Sequence, residues 1–205
     1  MTFNEYMKTQ YGIGEPIYLS KIKFLNYSRS WIFKQLKKMV ESGELRRFDT
    51  GIYYFPQKMS YGEASLNPRT VVEKRFLSDG NEVYGYVAGI SLLNMVGLTT
   101  QVPNLLEVVS NNETTRVRDI QVGNQRVRAR RSRTTVTSEN VKTLQFLDLM
   151  NVMDPKNIDE TEKYMLNKYI KTAGVNKEEV MKYVGFFPAK AMKNMIESGT
   201  AYELA

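Results

Sequence analysis

A chain of 205 residues with 29 Lys and Arg, 22 Asp and Glu, and neither His nor Cys carries a formal net charge of +7. Without imidazole or thiol there is no Ser-His-Asp or Cys-His nucleophile and no Cys/His zinc site, so any catalysis would fall to carboxylates, Lys or Tyr. At 42% hydrophobic and 25% charged residues, it is the composition of a folded chain. No apolar run approaches a bilayer span and Met1 to Lys8 lacks a signal-peptide pattern, so an unexported, cytoplasmic protein with no membrane partner is expected.

The positive charge is clustered. Residues 1–60 hold 10 Lys/Arg against 5 acids, and Arg116 to Arg133 hold seven Arg with Asp119 as the sole acid. From Val141 onward nine Lys balance nine acids. Clustered cations set up a directional field that attracts polyanions. Turn-forming residues between Gln57 and Pro68 mark a boundary. The expected organisation is α+β: an N-terminal winged helix-turn-helix domain over 1–58, a linker over 59–68, and a larger mixed α+β domain over 69–205 that ends in helices.

In the first domain, a helix from about Thr2 to Gln10 precedes a short one over Tyr18–Leu25. A longer helix follows from Ser28 to Glu41. There Ile32, Leu36, Met39 and Val40 recur at i, i+4, i+7, i+8, with Phe33 at the margin of that face. The opposite face carries Ser30, Lys34, Lys37 and Lys38, Ser28 is the N-cap and Gly43 the C′ stop. Two helices joined so tightly form a helix-turn-helix, and the β-prone segments Gly43–Phe48 and Ile52–Phe55 around Asp49-Thr-Gly51 supply a wing.

Basic residues coincide with the recognition face and the wing, which points to duplex DNA rather than a merely solvated helix face. Ser28, Arg29, Ser30, Lys34, Lys37, Lys38, Arg46 and Arg47 are the candidate DNA-binding residues. Arg29 and Ser30, with Lys34, sit where base edges are read; the remaining cations grip phosphates. Trp31 lies between the two faces and either packs against the wing or touches the sugar-phosphate backbone.

In the second domain, helices are expected at Val71–Leu77 and Gly85–Val96, then strands at Leu105–Val109, Asp119–Val122 and Gln125–Arg130, the last two joined as a hairpin through Gly123-Asn124. Strand alternation sets Arg126, Arg128 and Arg130 on one face, opposite Val127 and Ala129. That face is either the wet side of a sheet or a site for DNA, RNA or a nucleotide, and seven Arg with one acid favours the polyanion. Helices are expected from Val141, over Glu160–Ala173, Asn176–Tyr183 and Pro188–Glu197. Asp154 reads as a turn residue, Asp159 as a cap and Asp148 as an isolated acid, so no catalytic residue, metal site or cofactor is assigned.

The order of these features is familiar. Tyr18-Leu-Ser through Gly51-Ile-Tyr-Tyr-Phe-Pro56, then Gly85-Tyr-Val-Ala-Gly-Ile through Gly97-Leu-Thr-Thr-Gln-Val-Pro103, then the Arg-rich hairpin, resemble the AbiEi family of antitoxins from type IV abortive-infection (phage-defence) systems. The likeness runs roughly from Thr2 to Asn151, and Gly97–Pro103 is its most telling piece. The resemblance implies a winged-helix transcriptional repressor that binds inverted repeats in its own operator, and a C-terminal antitoxin domain. It further implies a nucleotidyltransferase-like toxin as functional partner, counteracted without a stable complex. On these positions the recognition helix maps to Ser28–Val40 and the wing to Glu44–Phe55. The basic C-terminal surface maps to Arg116, Arg118, Arg126, Arg128, Arg130, Arg131 and Arg133; no catalytic residue transfers.

The competing expectation is a winged-helix regulator whose C-terminal domain senses a ligand or partner unrelated to a toxin. An enzyme acting on nucleic acid stands third.

Overall fold

The computed structural model describes residues 1–80 and 82–204 and is mixed α+β, with several small sheets and a helical C-terminal region. It divides into two compact units: Met1–Lys74 with Val122–Asn124, and Arg75–Gln121 with Gln125–Ala205.

The N-terminal unit opens with α1 (Phe3–Gln10), held by a capping box in which Thr2 and Glu5 satisfy each other's backbone N–H. β1 (Ile17–Tyr18), α2 (Arg29–Glu41), β2 (Arg46–Asp49) and β3 (Ile52–Tyr54) follow. The strands form an antiparallel sheet in the order β1-β3-β2. Met7 of α1, Ile17 of β1, Ile32 and Leu36 of α2 and Tyr53 of β3 meet in one buried cluster.

The helix expected over Tyr18–Leu25 does not form. The chain leaves β1 through turns, burying Ile22 and Phe24 while Lys21, Lys23 and Leu25 stay exposed. Alternate burial is the period of extended chain, not of a helix. Leu25 then takes φ 47, which no right-handed helix accommodates.

Residues 59–68, expected as a linker, begin inside a hairpin: β4 (Gln57–Met59) pairs antiparallel with β5 (Gly62–Ala64). All of β4 is exposed, so no apolar alternation announces it. Then α3 (Pro68–Val72), N-capped by the Asn67 side chain, runs into a π-helical turn over Glu73–Leu77.

The C-terminal unit begins with a ladder of β6 (Ser78–Asp79) and β7 (Glu82–Val83). Its main sheet contains β8 (Gly85–Ala88), β9 (Leu105–Ser110), β10 (Val117–Val122) and β11 (Gln125–Arg131), in the order β10-β11-β9-β8. β9 runs antiparallel to β8 and parallel to β11, from Arg126 beside Leu105 to Arg131 beside Ser110.

The expected helix over Gly85–Val96 is therefore split, because Gly85–Ala88 is strand and only α4 (Gly89–Val96) is helical. Gly89 makes the break at φ 61, with the Glu107 carboxylate in the space a β-carbon would fill.

Against this sheet packs α5 (Val141–Val152), whose residues from Thr143 through Met150 are all buried. Gln145 pays for its burial by donating to the Val87 carbonyl at 2.9 Å and accepting from the Tyr169 hydroxyl at 3.1 Å. Around α5 stand α6 (Glu160–Ala173), α7 (Lys177–Tyr183), α8 (Ala189–Glu197) and α9 (Thr200–Glu203), as the sequence pattern leads one to expect for the first three. Asn194 of α8 donates to the carbonyls of Met150 and Met153, closing the C-terminal end of α5. Among the described residues no helix is long and apolar enough to cross a membrane.

Candidate nucleic-acid interface

α2 forms where its periodicity places it, and its start is fixed by Ser28, whose hydroxyl accepts from the Trp31 N–H at 3.3 Å. Such a cap is worth about 1 kcal/mol. With Ile32, Leu36 and Met39 buried, Arg29, Ser30, Lys34, Lys37 and Lys38 are all exposed. Lys37 lies 3.8 Å from Glu41, a solvated pair of little energetic consequence. Arg29, Lys34 and Lys38 enter no ion pair among the described residues. Phe33 stands exposed among these cations; its marginal position on the helical wheel was the available signal, and an exposed Phe on such a face can contact a thymine methyl.

Trp31 is half-buried and packs on the α1 side of α2. Its ring stacks on Tyr27 at 4.0 Å and meets Phe3 edge-on at 5.6 Å, locking the start of α2 to α1.

The two arginines expected on a wing, both on β2, divide. Arg46 is tied down: its guanidinium pairs with Glu63 of β5 at 2.8 Å and donates to the Gly43 carbonyl. Arg47 is exposed beside the turn, its guanidinium bonded to the Asp49 carbonyl and the Thr50 hydroxyl, both at 3.3 Å. Of the two, Arg47 is the one that faces solvent as a phosphate-binding residue would.

In the C-terminal unit the alternation on β11 is as expected: Val127 and Ala129 are buried, and Arg126, Arg128 and Arg130 take the other positions. The cationic row is nevertheless partly neutralised. Arg128 makes a bidentate pair with Asp119 of β10 at 2.8 and 2.9 Å, and its hydrogen bonds hold the Asp119 carboxyl below its usual range. Arg130 lies 3.0 Å from Asp148, which is buried on α5 and so is not the isolated acid expected.

Arg118 is engaged as well, 2.7 Å from the buried Glu113. Burial pushes the Glu113 carboxyl up, but the Thr115 N–H and hydroxyl and the Arg118 guanidinium outweigh it and hold it below the ordinary value. Glu113 thus organises the turn leading into β10, five residues ahead of its Arg.

Arg116, Arg126, Arg131 and Arg133 have no carboxylate partner among the described residues. Arg116, Arg131 and Arg133, with Arg130, line an open groove of about 880 Å³ that also holds Ser132 and Phe186. Sequence reasoning missed Phe186, which nothing in its own segment marks. A second groove, of about 760 Å³, sets Glu107 and Asp119 beside Arg118, Arg128 and Arg130, so acids offset part of its positive charge.

Fold and charge placement define a two-unit α+β protein with exposed cationic surfaces, in which no group of three or more acids among the described residues is placed to hold a metal ion. A family model described as a family of unknown function (DUF6088) matches residues 13–178, and the chain belongs to that family. The match runs from ahead of β1 into the first turn of α7 and takes in both cationic groups. No curated protein matches the chain.

Proposed function

We propose that the chain is a DNA-binding autorepressor and the antitoxin of an AbiEi-like toxin-antitoxin pair, acting in the cytoplasm on its own operator. The observation that carries the DNA-binding half is the exposed face of α2, where Arg29, Lys34 and Lys38 stand without ion-pair partners among the described residues, around Ser30 and Phe33. Cations free of internal partners can release condensed counterions on meeting phosphates, which is the main source of affinity for DNA.

The sequence of α1, β1, α2 and the β2–β3 hairpin, with strand order β1-β3-β2, supports a winged helix-turn-helix. In it, turns over residues 19–27 occupy the place of a second helix. The antitoxin half rests on the resemblance carried by Gly85–Pro103 and the Arg-rich hairpin. A nucleotidyltransferase-like toxin is the functional partner, opposed without a stable complex.

A reporter gene behind the chain's own upstream DNA tests the first half. The wild-type chain supplied in trans should repress it, and Lys34→Ala/Lys38→Ala should restore expression; equal expression with and without the chain overturns autorepression. Co-expression with the neighbouring gene tests the second half, with restored growth expected and unrelieved toxicity as the contrary result.

A second reading, a winged-helix regulator whose C-terminal unit senses a ligand, is favoured by the groove between β11 and Phe186.

A further inference from the structure

The groove of Arg116, Arg130, Arg131, Ser132, Arg133 and Phe186 lies wholly within the C-terminal unit and combines two chemistries. Its cations exceed what the fold consumes. Arg130 alone among the four is paired, to Asp148, whereas Arg116, Arg131 and Arg133 are exposed and have no carboxylate partner among the described residues. Arginine forks match phosphate oxygens geometrically as well as in charge.

The second chemistry is aromatic. Phe186 is 50% exposed at the end of a 3-10 turn, Val184–Phe186, and lines the groove, its ring 6.5 Å from that of Tyr183. The Arg133 guanidinium sits 5.6 Å over the ring of the neighbouring Phe187, which holds that cation at the groove without neutralising it. A half-exposed aromatic side chain beside guanidinium groups that lack carboxylate partners among the described residues is the pairing that holds a phosphate and its base at once. Duplex DNA does not fit this description, because its bases are already stacked inside the helix. The volume, about 880 Å³, falls within the range of small-ligand sites.

We propose that this groove binds a nucleotide with an unstacked base, its phosphates on Arg116, Arg131 and Arg133 and its base on Phe186. The shared chemistry has two sources, a free nucleoside polyphosphate or the end of a single-stranded nucleic acid. The proposal does not rest on DNA binding by α2.

Calorimetric titration of the full chain separates the cases, using ATP, tripolyphosphate, adenosine, and a 5′-phosphorylated single-stranded tetranucleotide. ATP or the tetranucleotide should bind more tightly than either tripolyphosphate or adenosine, and the tighter of the two identifies the source. Arg131→Ala should weaken that binding about tenfold, and Phe186→Ala at least about fivefold. Both residues are exposed, so unchanged circular dichroism and melting are expected of the variants. Tripolyphosphate binding as well as ATP and the tetranucleotide, loss of affinity in Arg131→Ala without loss in Phe186→Ala, or no binding of any probe would each overturn the proposal.

Discussion

Arg130 on β11 places a guanidinium nitrogen 3.0 Å from Oδ2 of Asp148, a carboxylate only 1% exposed in the middle of α5. The pair ties an inner strand of the sheet to the helix packed on it, and leaves Arg130 Nε buried without a hydrogen bond. Breaking such a pair from one side strands a charge. Asp148→Ala should therefore destabilise the protein by about 3 kcal/mol, and the double change Arg130→Met/Asp148→Leu should recover most of that loss. Urea unfolding measures both; a single variant as stable as wild type would show the pair to be incidental.

Glu113 gives the acid side of the stability curve a specific contributor. Its folded-state carboxyl titrates below the usual value, so the stability it supplies is fully present above the unfolded-state pKa. That stability is lost as pH falls through the folded one. Glu113→Gln should cost roughly 1–3 kcal/mol at pH 7, and the gap to wild type should narrow steadily below about pH 4.5. A gap that stays constant with pH would contradict the assignment.

Leu25 holds φ 47 while 77% exposed, so its side chain gains little from burial in return for a left-handed backbone. Asn accepts that conformation more readily. Leu25→Asn should raise stability by roughly 0.5–1 kcal/mol. A loss of stability by thermal or chemical unfolding would mean that the leucine makes a stabilising contact.

Gly85 marks a tighter constraint. A β-carbon there would run into the backbone carbonyl oxygens of Phe76 and Val109, neither of which can swing aside. Gly85→Ala should cost about 3 kcal/mol or more, visible as a depressed unfolding midpoint and poor soluble yield; near-normal stability would refute the close approach.

Much of the N-terminal unit could be read from residue periodicity. α2, its Ser28 cap and the β2–β3 hairpin each carry a strong local signal, and the Lys row on α2 is outward because Ile32, Leu36 and Met39 point in. The segment from Tyr18 to Leu25 misleads because Leu19, Ile22 and Phe24 fit a helical template loosely, whereas Ile22 and Phe24 are buried with the spacing of extended chain. β4 and β5 leave no trace in the pattern, since their exposed faces need no apolar residues.

In the C-terminal unit, alternation exposes the Arg side of β11, but not which Arg are spoken for. Glu113, Asp119 and Asp148 reach Arg118, Arg128 and Arg130 from a turn, a neighbouring strand and a distant helix. Such pairings depend on tertiary contact. So does Phe186, which joins the Arg groove only because the helical C-terminal region returns to the sheet.

Sequence-specific binding of duplex DNA by the exposed face of α2 is the proposal on which autorepression depends. Fluorescence anisotropy of the full chain on a labelled duplex from its own upstream region, between 50 and 200 mM salt, tests it most directly. With about five phosphates neutralised, log K should fall against log salt with a slope near −4.5. Arg29→Ala/Lys34→Ala/Lys38→Ala should bring that slope to about −1.8 as three contacts are lost. A shuffled duplex should compete poorly with the native sequence. Equal competition by the shuffled duplex, or an affinity and slope unchanged in the triple variant, would contradict recognition by α2.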